Sequence, residues 1–68
     1  MAKSVPITMF FAYIDGMFVD SFDAKGDSGA RSYVNRHYST PELIAICPEG
    51  GDHDAAKTES LRLGIDQQ

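Results

Sequence analysis

The sequence predicts a small α+β domain: a β-hairpin and a third strand form an antiparallel sheet, and one helix covers one face. Two apolar runs joined by Asp15-Gly16 indicate the hairpin. A later stretch with apolar residues at helical spacing indicates the helix, and a short apolar run between two prolines indicates the third strand. The predicted order is ββαβ, followed by a short C-terminal helix or strand.

The hairpin joins the apolar runs 7–14 and 17–22. Asp-Gly favours a type I′ turn because both turn positions require positive φ. With a two-residue turn, Ile14 faces Met17, and side chains then alternate between the two faces of the ribbon. On this register one face carries the following residues: Met9, Phe11, Tyr13, Phe18, Asp20 and Phe22. The other face, which includes Phe10, Ala12 and Ile14, is also apolar.

The helix is predicted from apolar and aromatic residues that recur at helical spacing: Ala30, Tyr33, Val34 and His37 or Tyr38. Its start is open, because Asp23 could cap it early and Asp27 or Ser28 could cap it late. The later start keeps Gly26 out of the helix, where a glycine costs about 1 kcal/mol. Pro41 and the two residues before it end the helix.

The C-terminal third contains a strand and an ambiguous segment. Residues 42–47 lie between Pro41 and Pro48 and predict a strand that is buried on both faces and joins the hairpin's sheet. Residues 52–64 can form a helix capped by Asp52 or Asp54 and ending at Gly64. They can also form a strand, because apolar residues alternate from position 61 to 65. We favour a helix with an extended end.

A chain of 68 residues, 43% of them hydrophobic, predicts one domain over 1–68, with 1–6 and 66–68 frayed. The net stability of so small a core is roughly 3–5 kcal/mol. The single cysteine cannot form an internal disulfide, so association with a second chain is the remaining way to add stability. We therefore expect a homodimer.

The two apolar faces of the hairpin lead to the same expectation. One helix covers one face, so the other needs the C-terminal segment, a second copy of the chain or a different protein. A large bare apolar patch on a small protein is typical of an interaction surface. The alternatives are therefore a dimer or target-binding face built on the hairpin, and a C-terminal segment that folds back over that face.

Composition argues against several classes of function. Ten acidic and six basic side chains give a charge of −4, which disfavours binding to phosphates. The apolar run 7–14 has eight residues, whereas a membrane span needs about 20. One free cysteine and no cleavable signal predict a reducing cytoplasm. We expect no cofactor, no metal and no membrane partner.

The leading hypothesis is a non-enzymatic acidic module that binds and inhibits a larger protein. A short chain without catalytic motifs is typical of accessory proteins of phages and mobile elements. Aromatic residues in a desolvated patch carry most of the energy of an interface, and charges at its rim tune the encounter rate. The residues predicted to bind the partner are Phe11, Tyr13, Phe18 and Asp20 on the sheet, with Asp15 and Asp52 as the charged rim.

Two other hypotheses name different residues. Cys47 and His53, with acids near them, could form a small thiol enzyme or a weak metal site. Basic and aromatic residues of the predicted helix could instead bind single-stranded nucleic acid: Arg31, Arg36, Tyr33 and Tyr38. The negative net charge makes nucleic acid the less favoured partner.

Overall fold

The computed structural model describes residues 6–66. Over these residues the elements are β1 (Ile7–Ile14), β2 (Met17–Lys25), α1 (Gly26–His37), a 3₁₀ turn (Pro41–Leu43), β3 (Ala45–Pro48) and α2 (His53–Asp66). The predicted α+β class and the order ββαβ are confirmed, and the C-terminal segment is a helix. Of the ends expected to fray, 1–5 and 67–68 lie outside the described residues, whereas Asp66 is the last residue of α2.

The three strands form one antiparallel sheet in the order β2-β1-β3. The apolar run at 7–14 therefore forms the central strand, and both of its faces are covered. Helix α1 packs on one face and α2 packs on the other, mainly over β1 and β3. The C-terminal segment thus folds back over the second face of the hairpin, which is one of the two alternatives that the sequence left open.

The hairpin turn has the predicted geometry, but the pairing of β1 with β2 beyond the turn differs from the predicted register. Asp15 and Gly16 adopt φ of 52° and 79°, as a type I′ turn requires. Ile14 pairs with Met17 and Tyr13 with Phe18, but Ala12 then pairs with Asp20. Val19 is the extra residue of a β-bulge, which shifts every later residue of β2 by one position.

The bulge changes the faces of the sheet. The prediction that Asp20 and Phe22 share a face with Tyr13 and Phe18 is wrong, because the extra residue interrupts the alternation of side chains. Phe22 pairs with Phe10 and lies in the core under α1. Asp20 is on that same face, opposite Ala12.

The core under α1 consists of buried side chains from β1, β2, α1 and the residue just before β3: Phe10, Ala12, Phe22, Ala30, Val34 and Ile44. Ala30 and Val34 confirm the helical spacing read from the sequence. Helix α1 begins at Gly26, between the two predicted starts, because β2 continues to Lys25 and Gly26 turns the chain with a φ of 71°. It ends at His37, where the backbone N–H of Tyr38 donates to the carbonyl of Val34.

The core under α2 is smaller and consists of Tyr13, Ala45, Cys47 and Ala56. Strand β3 contributes to both cores, as predicted, but it begins at Ala45 because the 3₁₀ turn occupies the residues before it. Asp52 caps α2, since its Oδ1 accepts the backbone N–H of Ala55 at 3.0 Å. The helix continues past Gly64 to Asp66, so the expected extended end is wrong.

Helix α2 stays regular at its end because it docks on the hairpin turn. The backbone N–H of Gly16 donates to Oγ of Ser60 at 2.8 Å. Asp15 Oδ1 lies so close to Gly64 that a Cβ there would be only 2.6 Å from it. Within residues 6–66, no helix combines the length and apolar character needed to cross a membrane.

Candidate interaction surface

Three consecutive residues of β2 expose large apolar side chains. Met17, Phe18 and Val19 are 64%, 53% and 41% exposed. Phe18 lies on the α2 side, where its ring contacts those of Phe11 and Tyr13 at centroid distances of 5.7 and 6.1 Å. Because α2 lies mainly over β1 and β3, it leaves the outer side of Phe18 open to solvent.

Strand β2 is also an edge strand. It pairs with β1 on one side, and no strand of the described part of the chain lies on the other. It has nine residues, against four in β3 at the opposite edge. The outer edge of β2 therefore presents main-chain N–H and C=O groups directly beside exposed apolar side chains.

Two residues of α2 close to the hairpin turn are also apolar and exposed. Leu61 packs at the hairpin turn, where a Cβ on Gly16 would lie 2.9 Å from its Cγ. Leu61 and Ile65 are nonetheless exposed, and they lie one helical turn apart on the same side of α2. We call Met17, Phe18, Val19, Leu61 and Ile65 the hairpin surface.

The charges around the hairpin surface are mostly negative. Four aspartates and one lysine occur between positions 15 and 27: Asp15, Asp20, Asp23, Asp27 and Lys25. All except Asp20 are exposed. Most of the chain's net charge of −4 thus lies in and next to the hairpin.

Asp20 is held by two tyrosines of the α1 side. The hydroxyl of Tyr38 donates to its Oδ2 at 2.7 Å and that of Tyr33 at 3.1 Å. The bond from Tyr38 is the main reason that the pKa of Asp20 is below its usual 3.8; partial burial opposes this effect and the bond from Tyr33 adds to it. Burial, together with the bonded carboxylate, raises the pKa of Tyr38 to about 12.

The structure divides the residues that the sequence predicts as partner-binding. Phe18 and Asp15 are exposed, and Phe11 is half-buried. Tyr13 is only 4% exposed, Asp20 is bonded to the tyrosines on the opposite face, and Asp52 caps α2. The six residues therefore do not form one surface, and a role for each of them in binding stays a prediction.

Of the five residues of the hairpin surface, only Phe18 is among the residues that the sequence predicts as partner-binding. The predicted register places Met17 opposite Ile14 and Val19 opposite Ala12, on the face that does not carry Phe18, and in the structure the bulge removes Val19 from that pairing. Leu61 and Ile65 belong to the alternating pattern from position 61 to 65 that supports the strand alternative, and Leu61 is also one of the helix-forming residues of the favoured alternative. The signal for their position is helical spacing. Leu61 and Ile65 are four residues apart, and Leu61 follows directly after Ser60, which shares the covered side of the helix with Ala56.

His53 and Tyr13 form a short hydrogen-bonded chain under α2. The Nε2 of His53 lies 3.0 Å from the carbonyl oxygen of Glu49, which can only accept, so Nε2 carries the proton. The hydroxyl of Tyr13 then donates to Nδ1 at 2.8 Å. Burial, first of all, raises the pKa of Tyr13. Both ring nitrogens of His53 thus have structural partners.

The thiol of Cys47 is buried and has no activating partner in the described contacts. Burial raises its pKa, and the nearby charge of Asp52 raises it further. Its Sγ donates to the carbonyl of Pro48 at 3.4 Å. Among residues 6–66 no group of three or more histidine, cysteine or acidic side chains is placed to hold a metal ion.

The residues of the nucleic-acid hypothesis are also engaged in the fold. Arg31 donates to the carbonyls of Pro41 and Ile44 at 3.0 and 3.1 Å, which ties α1 to the approach to β3. Tyr33 and Tyr38 direct their hydroxyls to Asp20. Arg36 is exposed in the last turn of α1.

Comparison with known proteins gave no match: no family model, no curated protein and no solved structure is significantly similar to this chain.

Proposed function

We propose that this protein is a binding module without enzymatic activity, which attaches to a larger protein through the hairpin surface and inhibits it. The observation that carries the proposal is the exposure of Met17, Phe18 and Val19 along an unpaired strand edge. An exposed edge with large apolar side chains promotes unspecific association unless a partner covers it. A partner's apolar segment would cover both the side chains and the main-chain groups.

Chemistry at the other candidate sites supports a binding role over catalysis. The pKa of Cys47 is raised, which keeps its thiol protonated, and both nitrogens of His53 are engaged. We propose inhibition because a segment of the larger protein that is bound to this chain is no longer free to make its other contacts. A reducing cytoplasmic location belongs to the proposal and rests on the single cysteine.

The test is selection from a displayed library of random peptides, which needs no knowledge of the natural partner. Peptides are enriched on the wild-type protein and then measured on Phe18→Asp and on Ser32→Asp. Ser32 is exposed on α1, so its variant adds the same charge outside the hairpin surface. We expect enriched peptides to bind wild type and Ser32→Asp equally and to bind Phe18→Asp at least about tenfold more weakly.

Folding of each variant is checked by circular dichroism and thermal unfolding. If Phe18→Asp unfolds the chain, Met17→Asp repeats the test, because Met17 is 64% exposed and lies on the same strand. Failure of the library to yield any binder contradicts the proposal, and so do peptides that bind a folded hairpin variant as tightly as they bind the wild type. Sedimentation equilibrium of the wild type identifies a second copy of the chain as the occupant if a dimer forms and Phe18→Asp abolishes it.

A further inference from the structure

We propose that the outer edge of β2 pairs with an extended segment of the partner that carries both apolar and basic side chains. The inference rests on the proposed function and specifies the chemistry of the partner. It combines three features of the same strand: its free main-chain edge, its exposed apolar residues and its acidic surroundings.

The free edge fixes the form of the partner segment. Strand β2 has nine residues, eight of which pair with β1, and within residues 6–66 no strand lies on its other side. A peptide that adds a strand to such an edge gains main-chain hydrogen bonds that do not depend on its sequence. A helix lying on the same surface would leave those main-chain groups to water.

The exposed side chains fix the apolar part of the segment. Phe18 lies on the α2 side of the edge, backed by the rings of Phe11 and Tyr13. Beyond it on that side, the register places Ser21 opposite Phe11 and Asp23 opposite Met9. An added strand would therefore meet an apolar position near the hairpin turn and a charged position near the other end of β2.

The charge of the hairpin fixes the sign of the remaining side chains. Between positions 15 and 27 there are four aspartates and one lysine. Asp15, Asp23 and Asp27 are exposed, so a basic segment would find carboxylates that no structural contact in the described residues neutralises. Complementary charge of this kind raises the association rate and disfavours partners of the wrong sign.

The same charges argue against a second copy of the chain at this edge. Pairing two β2 strands would bring two negatively charged hairpins together. The foreign basic segment is therefore the occupant to which the structure points.

The experiment uses three labelled nine-residue peptides and fluorescence anisotropy with the full chain. In the first, valine alternates with lysine; in the second, glutamate replaces lysine. The third is the first with an N-methyl group on every amide, which removes the N–H donors from both of its edges. We expect the valine-lysine peptide to bind and the other two to bind at least about tenfold more weakly. Hydrogen exchange of the β2 amides should slow when the first peptide is bound.

Two protein variants give the matched comparison. Asp23→Lys reverses an exposed charge on β2, and Glu42→Lys makes the same change of net charge in the 3₁₀ turn before β3, at the opposite edge of the sheet. The first variant should weaken binding of the valine-lysine peptide at least about tenfold, and the second should change it less than about twofold.

Each contrary result has a definite meaning. Equal binding of the N-methylated peptide overturns strand pairing, and equal binding of the glutamate peptide overturns the charge preference. No binding of the valine-lysine peptide, or a wild-type dimer that Phe18→Asp abolishes, overturns the inference as a whole. If library-selected peptides still require Phe18 in that case, the proposed function stands and only its partner chemistry is wrong.

Discussion

The face of the sheet under α1 is filled by large interlocking side chains, whereas the face under α2 contains mostly small ones. Under α1 the rings of Phe10, Phe22, Tyr33 and His37 follow one another in a stack, with neighbouring centroids 6.3, 3.9 and 4.2 Å apart. Under α2 the buried cluster consists of one tyrosine, two alanines and a cysteine, and the small side chain of Ser60 is buried as well. Specific polar bonds, such as that from Gly16 to Ser60, supply part of the attachment of α2.

This difference assigns different tasks to the two faces. Apolar area removed from water is worth about 25 cal/mol per Å², so the α1 face carries most of the stability. The side chains under α2 are mostly small, and this side of the sheet shields β2 from solvent less than the α1 side does. Phe18 is therefore about half exposed. On this view the α1 side of the sheet supplies most of the stability, and the exposed Phe18 of the proposed binding surface lies on the α2 side.

The largest expected effect comes from truncating the α1 core. Ile44 is 1% exposed, and Ile44→Ala should cost about 2–5 kcal/mol through lost burial and the cavity left behind. This loss equals the whole net stability expected of so small a domain, so the variant should be largely unfolded at 25 °C. Ile65→Ala is the control, because Ile65 is 70% exposed. Chemical denaturation that gives similar losses for both variants would contradict the assignment of stability to the α1 face.

A smaller effect is expected at the carboxylate of the α1 face. Asp20→Asn weakens two bonds to a charged acceptor and should cost about 1.5–3 kcal/mol at neutral pH. Because the pKa of Asp20 is lowered in the folded state, its contribution is present above its usual pKa of 3.8 and is lost as the pH falls through the lowered value. The difference in unfolding free energy between wild type and variant should therefore shrink below about pH 4. Denaturation curves that keep a constant difference from pH 7 to pH 2 would rule out this origin.

The smallest of the three effects is expected where α2 holds the hairpin turn. Ser60 is fully buried; it accepts from Gly16 and donates to the carbonyl of Lys57 at 2.7 Å. Ser60→Ala leaves the Gly16 N–H without this partner and should cost about 1–2 kcal/mol. Ser32→Ala, on the exposed side of α1, has no such loss and gains helix propensity. Thermal unfolding compares the two, and equal stabilities would show that the polar bond contributes nothing to the α2 layer.

Much of the fold could be predicted because local chemistry determines it. Asp15-Gly16 is one of the few dipeptides that adopt a type I′ turn readily, and Ala30 with Val34 marks the buried side of α1. The run between Pro41 and Pro48 has no polar alternation, which is the pattern of a strand covered on both faces. These signals lie within a few residues of the features that they predict.

The interaction surface could not be predicted to the same extent because it depends on distant contacts. Nothing in the residues of β2 marks Val19 as a bulge, and the bulge decides that Asp20 meets the tyrosines of the α1 side instead of flanking Phe18. The exposure of Phe18 depends on how far α2 extends across the sheet. Tyr13 was predicted to contact a partner, but His53, forty positions away, covers its hydroxyl.

Because Val19 is the extra residue of the bulge, deleting it would change the shape of the outer edge of β2. Every other residue of β2 keeps its partner on β1 whether or not Val19 is present, so loss of its codon would leave the ladder complete and both cores unchanged in composition. What would change is the outline of the edge, which would become regular over eight residues. Identical chains pair with one another along regular strand edges of that length when they form filaments. We therefore expect that deletion of Val19 increases self-association of the chain, although it removes no residue of either core.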